Sequence, residues 1–269
     1  MIPTDGPPAP FGSVPQPGKV SPVAEPPRHG LLQASQSLLT IIVVALFIIT
    51  FTVQPFRIPS ESMEPTLLVG DFLLVNKQVG GPSAPVFSPA ASIHRGDLVV
   101  FHYPVDPSLH LVKRVVGLPG DHLRLRQGRV YINDQPLNEP YALFRPAAPD
   151  PYRDDFPRTQ SADPSVDPRW WVQMHTLVSN GELAIPPGNY FVLGDNRNNS
   201  EDSRYWGLVP RAAIVGKPFL IYFSLRSSEP SSFPASAAFT PGTVASRHEG
   251  PLDSIAGFAR WDRAMHVIY

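Results

Sequence analysis

Hydrophobic and polar positions divide this chain into three regions. Residues 1–30 carry prolines at 3, 7, 8, 10, 15, 17, 22, 26 and 27 with few hydrophobic side chains between them. Such a stretch cannot bury enough apolar surface to offset its ordering entropy, and it reads as a disordered tail. From Leu31 to Phe56 no residue is charged, and Leu38 to Val53 is almost wholly aliphatic or aromatic. A bilayer core needs about 20 mostly apolar residues, and a buried soluble helix would show a polar stripe that is missing here. Residues 31–56 therefore predict one uncleaved membrane-spanning helix. A cleaved signal peptide would want a short basic start and a small-residue cleavage site, but this run follows thirty Pro-rich residues and leads into Gln54-Pro55-Phe56-Arg57.

Beyond the span the period shortens. Asp71–Val75, Asp97–Phe101, Leu109–Val116, Asn189–Leu193 and Ile214–Phe223 read as strands, and Leu123–Arg126 with Arg129–Ile132 reads as a hairpin turning at Gln127-Gly128. No stretch after the span sustains helical periodicity, so residues 57–269 predict one mostly β domain. Gly80–Ser92 reads as a loop. A Pro-, Asp- and Arg-rich stretch at about 142–173 reads as a variable insertion on the β scaffold, and 227–251 as a second loose segment. Phe258–Arg263 either packs back or lies on a membrane surface.

Composition narrows the chemistry. Proline makes up 34 of 269 residues, about 13% against an ordinary ~5%, which opposes a helix-dominated soluble fold. No cysteine is present, so disulfides, cysteine catalysis and Cys-ligated zinc are excluded. A net charge of −1 gives no electrostatic reason for a nucleic-acid partner. Orientation cannot be read from flanking charge: Lys19 and Arg28 precede the span, Arg57 and Lys77 follow it.

Three polar blocks carry the candidate chemistry. In Ile58-Pro59-Ser60-Glu61-Ser62-Met63-Glu64-Pro65 two prolines bracket two serines, holding them outside any helix, where a hydroxyl can be presented as a nucleophile. In Leu109–Val116, strand alternation sets Lys113 on one face with Leu109, Leu111 and Val115. Burial on such a face lowers a lysine's pKa and fits it to act as a general base, unless it snorkels to water. The third block, Gly194 to Gly207, is a tight polar loop. Arg197 and Arg204 would crowd a calcium ion's oxygen shell, so Asp–Arg pairing is the more natural reading.

Taken together, Ser60-x-Ser62-Met63-x-Pro65-Thr66-Leu67, Gly70-Asp71, Lys113-Arg114 with Gly117-Leu118-Pro119-Gly120-Asp121, and Gly194-Asp195-Asn196-Arg197 with Ser200-x-Asp202-Ser203-Arg204-Tyr205-Trp206-Gly207 resemble the bacterial type I signal peptidases. The resemblance implies a mostly β catalytic core with an inserted β or loop region behind one transmembrane helix. By position, Ser62 would be the nucleophile and Lys113 the general base. The Ser60 hydroxyl and the Ser62 N–H would form the oxyanion hole, Ser200 would orient the lysine, and Asp195, Asp202, Arg204 and Arg114 would brace the site. The implied substrates are signal peptides of exported preproteins with small residues at −1 and −3. Phe56, Ile58, Met63, Leu67, Val100, Leu111 and Val112 are the candidates for lining their pockets. No metal or other cofactor is implied. The implied location is the bacterial cytoplasmic membrane, crossed once, with the catalytic domain on the outer side and the lipid bilayer as a partner. Self-cleaving repressor-like Ser/Lys proteases share the β core, but they need a DNA-binding helical domain and no span. The remaining alternative is an inactive membrane-anchored β module.

Overall fold

In the computed structural model, residues 30–51, 53–77, 92–160, 163–226 and 258–268 are described. The Pro-rich tail, residues 1–29, and the segment 227–257 lie outside them. The chain divides into two units, residues 1–43 and 44–269. Helix α1 (Gly30–Phe51) contains no charged residue, and the side chains described along it are exposed. Among the described residues, no helix is long and apolar enough to cross a membrane. The helix stops sooner than the uncharged run does. Val53–Arg57 forms strand β1, pairing antiparallel with β2 (Asp71–Asn76) so that Phe56 faces Leu73. β1 is the edge of its sheet, the position in which a strand tolerates a proline such as Pro55.

The remaining strands are β3 (Leu98–His102), β4 (His110–Gly117), β5 (His122–Arg126), β6 (Arg129–Ile132), β7 (Gln135–Pro136), β8 (Val178–Ser179), β9 (Glu182–Ala184), β10 (Asn189–Leu193), β11 (Val209–Pro210), β12 (Ile214–Ser224) and β13 (His266–Val267). One antiparallel sheet runs β1-β2-β12-β3-β4-β10-β11, with β13 added to β12; a second runs β7-β6-β5-β9-β8. The mostly β expectation holds, and so does the hairpin at Gln127-Gly128, with Leu123 opposite Ile132.

β3 explains why Leu98-Val99-Val100-Phe101 is an unbroken apolar run rather than an alternating one. Leu98 and Val100 pack with Ile58, Met63, Leu67 and Leu73 on one side, while Val99 and Phe101 pack with Val115, Val192 and Trp206 on the other. Both faces of the strand are buried.

The segment at 142–173 differs from its sequence reading. It contains α2 (Pro151–Asp154) and the start of α3 (Pro168–Leu177), each opened by an aspartate whose carboxylate accepts from the first turn: Asp150 from the Tyr152 and Arg153 N–H groups, Asp167 from those of Arg169 and Trp170. A proline occupies the first helical position of both, where its missing N–H costs nothing. Tyr152, Phe156, Val166, Trp170 and Met174 are buried in the same core as Leu123, Leu125 and Phe191. Composition alone suggested a loop; two of its six prolines and two of its five aspartates are helix starts.

Candidate active site

The serine block folds as an extended residue followed by one 3₁₀ turn. Ser60 has φ −130° and ψ 156°, and Glu61–Met63 make the turn. Met63 and Leu67 fix it by burying their side chains, and the Leu67 N–H donates to the Met63 carbonyl at 2.9 Å. This leaves Ser60 exposed and Ser62 half-buried, their hydroxyls 3.3 Å apart.

β4 presents Lys113. Its cross-strand partner is Val99, and the lysine is only 4% exposed. Nζ donates to Ser200 Oγ at 3.1 Å, and Ser200 donates to Asp202 Oδ2 at 2.9 Å. Asp202 in turn accepts from the Gly194 N–H at 3.1 Å and from Arg204 Nε and Nη2, both at 2.8 Å. Asp202 also caps the short helix α4 (Ser203–Trp206), whose first residue accepts from the Val192 N–H. Loss of solvation pushes the Lys113 ammonium down from 10.5 to about 8; Asp202, Glu201 and Asp195 partly oppose this, and Arg204 reinforces it. Burial would raise the Asp202 carboxyl, but the Arg204 guanidinium, its hydrogen bonds and the Lys113 amine reverse that and hold it low.

A second carboxylate ties the strands together. Arg114, next to the lysine but on the opposite face of β4, forks onto Asp195 with Nε at 2.8 Å and Nη2 at 2.7 Å. Thr66, at the end of the serine block, donates to the same carboxylate at 2.5 Å. The Asn196 N–H donates to the Ser62 carbonyl at 3.1 Å. Gly194 is required where the blocks meet: a Cβ there would lie 2.2 Å from Ser200 Oγ and 2.5 Å from the Ser62 carbonyl oxygen.

These elements enclose a cleft of about 410 Å³ whose walls include Ser60, Ser62 and Lys113. Among the described hydrogen bonds none joins Ser62 to Lys113, so the lysine's contact is with Ser200. Of the residues expected to line apolar pockets, Leu111 borders this cleft. Ile58, Met63, Leu67 and Val100 are buried in one cluster, with Phe56 and Val112 packed against them. The apolar wall comes instead from Leu109, Tyr103 and Trp206, and its polar rim from Glu61, Asn199 and Glu201. Leu109 was legible from its alternation with Lys113; Tyr103 and Trp206 reach the cleft only through tertiary packing, with rings 5.7 Å apart. No group of three His, Cys, Asp or Glu among the described residues could hold a metal ion.

Residues 31–223 match the family described as "Signal peptidase, peptidase S26". The chain is 36% identical over 219 residues to a protein described as Signal peptidase I from Pseudomonas aeruginosa, covering 76% of each. It is 37% identical over 210 residues to another so described from Leptolyngbya laminosa, covering 75% of this chain and 83% of that one. A crystal structure of a signal peptidase I from Enterococcus faecalis is 32% identical and covers 47% of this chain and 97% of its own, with a TM-score of 0.35.

Proposed function

The chain belongs to the signal peptidase family and is a serine endopeptidase, a hydrolase; from that premise we propose that it removes signal peptides from exported preproteins with Ser62 as nucleophile and Lys113 as general base. One observation carries this reading: a buried amine with a lowered pKa shares a cleft with a half-exposed serine. A neutral amine has two N–H donors and one lone pair. Donation to Ser200 fixes the rotamer and leaves the lone pair for the Ser62 proton.

The steps then follow. Lys113 takes the Ser62 proton as the hydroxyl attacks the scissile carbonyl. The Ser60 hydroxyl and the Ser62 N–H stabilise the oxyanion, a contribution of roughly 3–4 kcal/mol per donor in such sites. The protonated lysine gives its proton to the leaving amine, and water, deprotonated by the same lysine, hydrolyses the acyl-enzyme. Asp202 and Arg204 keep Ser200 oriented and, being paired with one another, add little net charge beside the lysine. Small residues at −1 and −3 of the substrate would sit against the wall of Leu109, Leu111 and Tyr103.

Location belongs to the same proposal: a bacterial cytoplasmic membrane, with the β domain on the outer side, where cleaved signal peptides emerge. The anchor is the uncharged α1 segment rather than the whole of residues 31–56, since residues 53–56 belong to β1. The uncharged sequence of α1 supports anchoring. So does an apolar patch in which the exposed Phe258 and Trp261 meet the half-buried Phe223 at tilted to edge-on angles, ring centroids 6.0–6.1 Å apart, since exposed apolar patches mark membrane or protein contacts.

The test is a preprotein cleavage assay on the full chain. Ser62→Ala and Lys113→Ala should each lower kcat by at least about 10³-fold while melting near the wild-type temperature. Lys113→Arg should fail too, because a guanidinium cannot lose its proton near neutrality. Near-wild-type turnover in either alanine variant would sink the dyad.

A further inference from the structure

The segment leading into α2 touches both halves of the cleft from behind. Arg145 donates from Nη1 to Glu61 Oε2 at 3.1 Å and pairs through Nη2 with Glu64. These two carboxylates flank Ser62 on either side of the 3₁₀ turn. The Arg145 carbonyl accepts from Asn198 Nδ2 at 2.6 Å, and Asn199 Nδ2 donates to the same Glu61 oxygen at 3.3 Å. Asn198 and Asn199 immediately precede Ser200, the partner of Lys113. Two residues upstream, Leu143 is locked into the same loop: its N–H donates to the Asp195 carbonyl at 2.7 Å, and its carbonyl accepts from the Arg197 N–H at 2.9 Å.

The turn needs such a tie. It is a single turn, and Ser60, at its N-terminal cap, makes no side-chain capping bond. Burial of Met63 and Leu67 sets its depth. Asn196 holds its backbone by donating from N–H to the Ser62 carbonyl at 3.1 Å and from Nδ2 to the Glu61 carbonyl at 3.2 Å; Arg145 adds the tie on its side chains. A planar guanidinium presents its donors in a fixed fork and so orients two carboxylates more rigidly than the rotatable donors of an ammonium can. Arg145 is 40% exposed and so contributes little to global stability. A displacement of about 1 Å at a reacting atom nevertheless costs on the order of 10²-fold in rate. Arg145 is not among the residues lining the cleft; it borders a separate hollow with Phe144, Pro146 and Asn198.

We propose that Arg145 is a positioning residue: through Glu61, Glu64 and the Asn198-Asn199 pair it fixes Ser62 relative to Lys113 without touching substrate. The inference rests on the Ser62–Lys113 reading above and gives part of the inserted segment a role in the reaction.

The experiment compares wild type, Arg145→Ala, Arg145→Lys, Glu61→Gln/Glu64→Gln and the triple variant with Arg145→Ala, all as full chain, with Ser62→Ala as control. Arg145→Ala should lower kcat by about 10–100-fold with KM within about twofold. Its melting temperature and the acid limb of its pH profile should stay in place. Arg145→Lys should recover part of the loss. In the Glu61→Gln/Glu64→Gln background, Arg145→Ala should cost clearly less than in the wild type, because the charged pairing is gone and only neutral acceptors remain. A raised KM with unchanged kcat would make Arg145 a substrate contact and overturn the proposal. So would a lowered melting temperature with full kcat in the folded fraction, or an equal loss in both backgrounds. Turnover by Ser62→Ala would overturn the dyad and the positioning role together. An inactive Ser62→Ala beside a fully active Arg145→Ala would overturn the positioning role alone.

Discussion

Lys113 is buried because β4 turns it onto the face shared by Leu111 and the buried Val115, opposite the buried Val99, and the charges around it set where it titrates. With the amine lowered to about 8, kcat/KM should rise with pH along a limb near that value, since only the neutral form accepts the Ser62 proton. The sign of each neighbour is testable. Glu201, on the exposed rim of the cleft, raises the lysine's pKa, as Asp202 and Asp195 do, while Arg204 lowers it. Glu201→Gln should therefore move the acid limb to lower pH by a fraction of a unit; a pH–rate profile with the limb unmoved or moved upward would reject this account. The same shift affects folding. Between about 8 and 10.5 the unfolded chain holds a proton that the folded one has released, so stability rises with pH across that window. At this scale much was legible in the sequence. Two-residue alternation put Lys113 with Leu109 and Leu111, and the prolines signalled an extended residue at Ser60; Ser62 itself, expected outside any helix, lies in the single 3₁₀ turn Glu61–Met63. The expected pocket residues Ile58, Met63, Leu67 and Val100 are buried in one cluster, and in sequence such residues look the same whether they line a cleft or fill a core. Chemistry of residue type does not specify depth.

The longer strands β2 to β6, β10 and β12 were readable because each sets its own period, and β3 from its unbroken apolar run. By contrast, β1 was hidden in the uncharged run, and the two- and three-residue strands β7, β8, β9, β11 and β13 carry too few residues to show a period. Helices α2 and α3 were not readable either, since ten residues with two adjacent tryptophans give a weak 3.6-residue pattern and the capping Asp-Pro pairs look like turn chemistry. Once formed, both helices serve the site. The Tyr152 hydroxyl and the Trp170 indole N–H both donate to the Arg204 carbonyl, at 2.9 and 3.2 Å, and Arg204 is the residue that forks Asp202. The Trp170 ring also covers Gly207, whose φ of +99° and lack of a Cβ allow the ring to approach: a Cβ would lie 2.8 Å from it. Trp170→Ala should destabilise by about 3–5 kcal/mol in denaturant unfolding, from lost burial and the cavity left behind. Trp170→Phe should cost much less, keeping most of the packing and losing one hydrogen bond of about 1 kcal/mol. If the alanine variant unfolds within 1 kcal/mol of wild type, by the same scale of core truncations, the helix is an ornament on the core rather than part of it.

At the scale of the whole molecule, the segment 258–268 closes the large sheet and reaches back to the turn that follows the serine. The sequence left two fates for Phe258–Arg263; the arginines turn inward and the segment packs back, while Phe258 and Trp261 stay exposed. Their target is Asp71, which is fully buried at the start of β2. Arg263 reaches it with Nε at 3.2 Å and Nη2 at 2.6 Å, Ser224 donates to it at 2.6 Å, and the Leu68 N–H donates at 2.8 Å. Arg263 also donates to the Thr66 carbonyl, and Thr66 donates to Asp195, so one polar chain runs from this segment to the cleft. No local sequence signal pairs residues 192 positions apart, which is why this part of the fold was not legible. Removing Arg263 would leave a buried carboxylate short of its main cation, a loss on the scale of a charged hydrogen-bonded pair, about 1.5–3 kcal/mol. Arg263→Met should therefore lower the melting temperature, and adding Asp71→Asn should restore part of it, because a neutral amide no longer needs the missing charge. A double-mutant cycle in denaturant measures that coupling. Trp261→Ser gives the contrast: it removes exposed apolar surface and should leave stability nearly unchanged while weakening binding to lipid vesicles. Equal destabilisation by Arg263→Met with and without Asp71→Asn would mean that the segment is held by its apolar contacts to β12 and not by the buried charge.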